Sequence, residues 1–152
     1  MRMKDLNGAT LEAFCSRVAR VESDAQRQWG KMSAVQMLRH LDFTVQLSLG
    51  EATAPDLSLP VLRHLMHFFA FVVFTRWPRG MVKAPGFFFP APEGDLAAER
   101  ESLIRNMRRF VGALERDPLK KALNPMQGWI TLRRWSRIHG LHVDHHLRQF
   151  GV

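Results

Sequence analysis

Residues 132–150 read "LRRWSRIHGLHVDHHLRQF", and their spacing sets the fold that the rest of the chain must serve. On a helix at 100° per residue, Leu132, Trp135, His139, His142, Val143, His146 and Phe150 share one sector of about 100°, with Arg133, Arg137, Asp144 and Arg148 opposite. The pattern predicts an amphipathic helix that follows a turn at "NPMQG" (residues 124–128), takes Thr131 as its N-cap and runs to Gln149. Its apolar stripe carries three histidines, and His145 falls at the border of the two faces.

Three further segments show the same period. Leu11, Phe14, Cys15, Val18 and Val21 form one stripe, which predicts a first helix over residues 11–26. Ser33 followed by Gln36 is a capping-box pair, and it opens a second helix through "AVQMLRHLDFTVQLSL" that Gly50 stops; this helix carries His40. Leu96, Leu103, Ile104, Met107, Val111 and Leu114 predict a helix from an Asp95 cap to Arg116. Four amphipathic helices with short connections point to an all-α chain, a four-helix bundle forming a single domain over residues 1–152.

One stretch exceeds that count. In "LPVLRHLMHFFAFVVFTRWPRG" (residues 59–80), Pro60 suits a helix start, and residues 65–74 are apolar except for His67. The run is too short for a transmembrane segment, which takes about 20 such residues. It is expected to be one extra apolar helix inserted between the second and third bundle helices, packed on the bundle or buried in a homodimer interface, in preference to a membrane attachment. His64 and His67 have no further ligand nearby in sequence and read as packed or surface residues. The Pro-, Gly- and Phe-rich residues 77–94 read as an ordered loop that closes over one end of the bundle.

Composition narrows the function classes. The net charge of +8 raises the possibility of an anionic partner, yet Lys and Arg are interleaved with Glu and Asp, and no nucleic-acid motif accompanies them. Nucleic acid is therefore not the expected partner. The first residues contain no apolar run of signal-peptide length, so a cytoplasmic location is expected. The single cysteine, Cys15, excludes an internal disulfide and reads as a buried, inert thiol.

The histidines carry the chemistry. A buried imidazole without partners costs free energy, and three adjacent ones repel when protonated, so a stack of them in a core calls for a compensating ion. His142 and His146, at i and i+4, project side by side and can meet one ion at about 2.0–2.1 Å. His40, the one histidine of the second helix, is the best candidate for a third ligand.

Trp29, Ser33 and His40 in the first half, followed by "HVDHHLRQFG" with His142, His145, His146 and Gln149, resemble the DinB-like superfamily of metal-binding four-helix bundles. The resemblance covers most of the chain, is strongest at the H-x-x-H-H-x-x-Q pattern, and does not extend to residues 51–94. It implies metal ligation by His40, His142 and His146, with zinc or nickel as the ion. Where the nearest relatives carry His-Pro before the last helix, this chain has Asn124-Pro125. His139 lies outside the family pattern; it and Gln149 are candidates for groups that orient a ligand. The resemblance further implies a metal-dependent enzyme with an open coordination position, in which a low-molecular-weight thiol is activated for transfer or isomerisation of a small-molecule substrate. The alternative is a non-catalytic, metal-stabilised bundle that acts through dimerisation or partner binding.

Overall fold

The computed structural model describes residues 5–69, 73, 76, 77, 79 and 85–152, and of Leu62 and His67 the backbone alone. Among the described residues, five α-helices lie in this order: α1 (Leu11–Ala19), α2 (Ala34–Leu49), α3 (Pro60–Phe68), α4 (Leu96–Arg116) and α5 (Leu132–Gln149). Side chains set three of the starts. Ser33 Oγ accepts from the Gln36 amide while Gln36 Oε1 accepts from the Ser33 amide, completing the capping box of α2. Asp95 accepts from the amides of Ala97 and Ala98 at the head of α4, and Thr131 from the Arg134 amide at the head of α5. Gly50 ends α2 in the left-handed conformation at φ 78°.

Helix α1 is shorter than its sequence suggested, ending at Ala19 instead of residue 26. The apolar stripe stops at Val21, and the Glu22-Ser23-Asp24 run that follows offers polar side chains which compete for backbone groups. The chain then crosses to the end of α5, where the Gln28 amide donates to the Gln149 carbonyl at 2.8 Å.

The expectation of an all-α four-helix bundle is corrected. Between α4 and α5 the chain forms an antiparallel two-stranded sheet, β1 (Lys121–Asn124) and β2 (Gly128–Thr131), with Ala122 opposite Ile130 and Leu123 opposite Trp129. Physically, the residues after Arg116 no longer repeat at three and four. Ala122 and Ile130 are buried on one face while Trp129 stays exposed, which is a period of two. Asn124 Oδ1 accepts from the amides of Met126 and Gln127, and Gly128 at φ 72° closes the turn. The hairpin brings the chain back beside the end of α4, so that the amides of Leu132 and Arg133 donate to the carbonyls of Lys120 and Pro118.

The core lies between α1, α2, α4 and α5. Phe14 and Val18, Met37, Leu38, Leu41 and Val45, Leu103, Met107 and Phe110, and Trp135, Val143 and Leu147 are all buried there. Asp42 of α2 is buried as well, and Gln46, Ser102 and Asn106 donate to its carboxylate, tying α2 to α4. Cys15 is buried, and burial raises its thiol pKa, the state of an inert sulfhydryl.

Helix α3 takes Pro60 in its first turn, as expected, but Val61, Leu65 and Phe68 are exposed. The apolar run beyond Phe69 falls largely outside the described residues, as do the side chain of His67 and residues 78 and 80–84 of the loop that follows. The later part of that loop is held on α2, where Gln36 donates to the Pro90 carbonyl and Arg39 to those of Ala91 and Glu93. Among the described residues, no helix is long and apolar enough to cross a membrane.

Candidate metal centre

His40 lies midway along α2 and His142 and His146 one turn apart on α5, so the contact between these two helices determines whether the three meet. They do. His142 Nε2 stands 2.9 Å from His40 Nε2 and 3.1 Å from His146 Nε2, and one ring nitrogen from each lies within 4.8 Å of the others. His40 and His146 are buried and His142 half-buried.

The remaining ring nitrogens fix what those Nε2 atoms are. His40 Nδ1 lies 2.7 Å from the Phe88 carbonyl, and His146 Nδ1 lies 2.9 Å from Gln149 Oε1. An oxygen of this kind only accepts, so both Nδ1 atoms carry the proton and both Nε2 atoms present lone pairs. Gln149 is oriented in turn, its amide nitrogen donating to the Trp29 carbonyl. A neutral His142 has one proton at most to offer, and two lone pairs face it. A divalent cation would accept all three, and ligand nitrogens on one tetrahedral zinc stand roughly 3.3 Å apart, close to the two separations from His142, 2.9 and 3.1 Å. The donor set therefore fits a three-imidazole metal site.

Electrostatics favour neutral rings, the form that binds metal. Burial pushes the His40 pKa down to about 4 against the opposing pull of the Phe88 carbonyl. Burial, reinforced by His40, takes His146 to about 3, and His142 is lowered well below its ordinary value by burial and by the rings around it.

The other histidines are placed differently. His139 is fully buried, stacked on Trp135 with ring centroids 5.0 Å apart, and its Nε2 lies 2.9 Å from Ser48 Oγ. Ser48 uses its own proton on the Val45 carbonyl, so His139 donates to it; among the described residues, Nδ1 of His139 has no partner. His145 sits edge-on to His146, its Nδ1 3.3 Å from the Trp77 carbonyl. His64 is exposed on α3.

A cavity of about 650 Å³ opens beside the three histidines. Met32, Leu47, Phe88, Trp135 and Ile138 give it apolar walls, and the hairpin turn from Asn124 to Gln127 closes one side. Sequence reasoning found neither the carbonyls of Phe88 and Trp29, which any residue type supplies, nor Gln127. The turn signal at 124–128 located Gln127 in the chain, but nothing in it pointed towards the histidines.

A family model described as "Protein of unknown function (DUF1569)" matches residues 1–151. No curated protein and no solved structure matches the chain.

Proposed function

We propose that this chain, which belongs to the family DUF1569, holds a divalent metal ion, zinc or nickel, on His40, His142 and His146 and uses it to activate a low-molecular-weight thiol for transfer or isomerisation. The observation that carries the reading is the pair of Nδ1 donations, to the Phe88 carbonyl and to Gln149, which turn two Nε2 lone pairs towards a third. The resemblance of the histidine pattern to the DinB-like superfamily supports it. A metal with three imidazole ligands and an open position would lower the pKa of a bound thiol and present it as thiolate.

The chain's own residues supply the rest. Gln149 and the Phe88 carbonyl hold the tautomers and ring planes of two ligands. The apolar walls exclude water and accept the non-reacting part of a small-molecule substrate. His139, bonded to Ser48 of α2, braces α5 against α2 and keeps the ligand spacing. The test is metal content by plasma mass spectrometry of tag-free protein, for wild type and for the His40→Ala and His142→Ala variants. Near-stoichiometric metal that falls in both variants supports the site, and thiol consumption with a panel of electrophiles then addresses the chemistry. Wild-type protein that cannot be loaded at neutral pH would sink it.

A second reading has its own observation. Val61 is 83% exposed, and Leu65 and Phe68 are more than half exposed on the same short helix, a face suited to self-association. On this reading the ion stabilises the fold, and the chain acts as a homodimer without catalysis. Light scattering of Leu65→Glu protein separates the two, since only this reading needs dimerisation through α3.

A further inference from the structure

We infer that Asn124, at the end of β1, is a specificity-determining residue whose side-chain Nδ2 donates to the carboxylate of a small molecule held in the cavity beside the three histidines. Asn124 lines that cavity and is 8% exposed. Its Oδ1 accepts from the amides of Met126 and Gln127, which identifies that atom as the oxygen and leaves Nδ2 as the free end of the side chain. Among the described residues Nδ2 donates to nothing, and it is not sealed from contact as Gln127 Oε1 is. A donor anchored through its own oxygen and left without a partner in a cavity wall calls for an acceptor from outside the chain.

Strand and turn hold that donor still. Asn124 pairs with Gly128 across the hairpin, and Ala122 and Ile130, two residues along on the same face, are buried. The Pro125 carbonyl accepts from the Leu57 amide at 2.8 Å, which ties the turn to the segment before α3. Other donors around the cavity are already committed, Gln149 Nε2 to the Trp29 carbonyl and the Thr44 hydroxyl to the Leu41 carbonyl. Gln127 follows in the same turn with its oxygen sealed, so it too has only N–H to offer. A fixed donor in a cavity with mainly apolar walls orients whatever binds.

The surroundings select an anion. Among the described residues, no Asp or Glu lines the cavity, and Lys31, itself exposed, is the one formally charged side chain that does. The Nε2 lone pairs of His40 and His146 repel a carboxylate while no ion is bound, which directs it to the turn. Met32, Leu47, Phe88 and Ile138 suit an aromatic or aliphatic body, and about 650 Å³ is within the range of small-molecule sites. The inference narrows the substrate of the proposed function to a carboxylate-bearing molecule and rests on that reading only for its chemistry; the binding does not require the ion.

The test uses a matched pair of probes, hydrocinnamate and its primary amide, which share a body and differ in charge. Dissociation constants come from ligand-observed NMR titration of chelator-treated protein at neutral pH, with zinc content measured on the same samples so that no residual ion takes up the carboxylate. Wild type should bind hydrocinnamate about fivefold more tightly than the amide. Asn124→Asp keeps the oxygen that closes the turn and puts a second oxygen in place of the amino group; it should weaken hydrocinnamate about tenfold while affinity for the amide and helix content hold. Asn124→Ser keeps a shorter acceptor for the turn and adds no charge. It should bring the two affinities within about twofold, the remainder being Lys31, and it carries the test where aspartate disturbs the hairpin. Equal affinity for both probes in wild type, binding of neither, or a preference that survives both substitutions overturns the inference. Equal loss of both probes in both variants does so too, since it marks a merely structural Asn124. The metal reading fails separately, on the metal content of untreated protein, and its failure leaves this preference in place.

Discussion

Gln149 lies one turn beyond His146 on α5 and accepts the proton of its Nδ1 at 2.9 Å, while its amide nitrogen donates to the Trp29 carbonyl. One side chain thus links a candidate ligand to the segment that follows α1. Gln149→Leu keeps the volume and removes the acceptor, freeing His146 to rotate or to move its proton to Nε2. Zinc affinity, measured by competition with a chromogenic chelator, should fall 10- to 100-fold, with helix content unchanged. Unaltered affinity would mean that Gln149 has no part in the site.

Metal should stabilise the folded chain by mass action, since the three histidines meet only when α2 and α5 are in contact. At free zinc one hundred times the dissociation constant, linkage gives about 2.7 kcal/mol, which appears as a rise in unfolding temperature. The rise should disappear in His142→Ala. A similar rise in that variant would place the bound zinc elsewhere.

Acid should destabilise the metal-free protein, and His139 is one cause. Burial lowers its folded pKa to about 3, whereas in the unfolded chain it titrates near the ordinary 6.5. Above that pH both states are neutral and His139 adds no pH dependence. Between about 6.5 and 3 the unfolded state binds the extra proton, so stability falls with falling pH by up to about 1.4 kcal/mol per unit for this one group. His40, His142 and His146 act in the same direction. Urea unfolding of chelator-treated protein from pH 8 to 4 checks the sign, and His139→Gln should flatten the slope by one proton's worth.

Asp42 accepts from Gln46, Ser102 and Asn106 while 5% exposed. Asp42→Ala leaves three donors unpaired between α2 and α4 and should cost about 3 kcal/mol in chemical denaturation. His40 lies two residues away on the same helix, so weakened metal binding should accompany the loss. A cost below about 0.5 kcal/mol would show that water replaces the carboxylate.

Sequence and structure agree where the determinant is local. Ser33, Asp95 and Thr131 announce their helices because the capping bond lies within three residues of the start. His142 and His146 meet because i and i+4 share a helix face. Strands β1 and β2 leave little trace because four-residue runs carry too few alternations to show a period of two, and the turn chemistry at Asn124 and Gly128 reads equally well as a simple break before α5. The end of α1 escaped because Val21 remains buried after the helix has stopped, so burial outlasts the geometry that predicted it. The carbonyls that orient the ligand histidines leave no mark on a sequence at all.

His40 and His142 are 102 residues apart in the chain. An ion shared between them would close a loop of that length, and the entropy removed from the disordered chain grows with the logarithm of loop length. His142 and His146 could seize an ion as soon as α5 forms, whereas His40 joins only after most of the polypeptide has been collapsed between the two helices. In folding terms the ion would be a late clasp: it would slow the parting of α2 from α5 far more than it speeds their meeting.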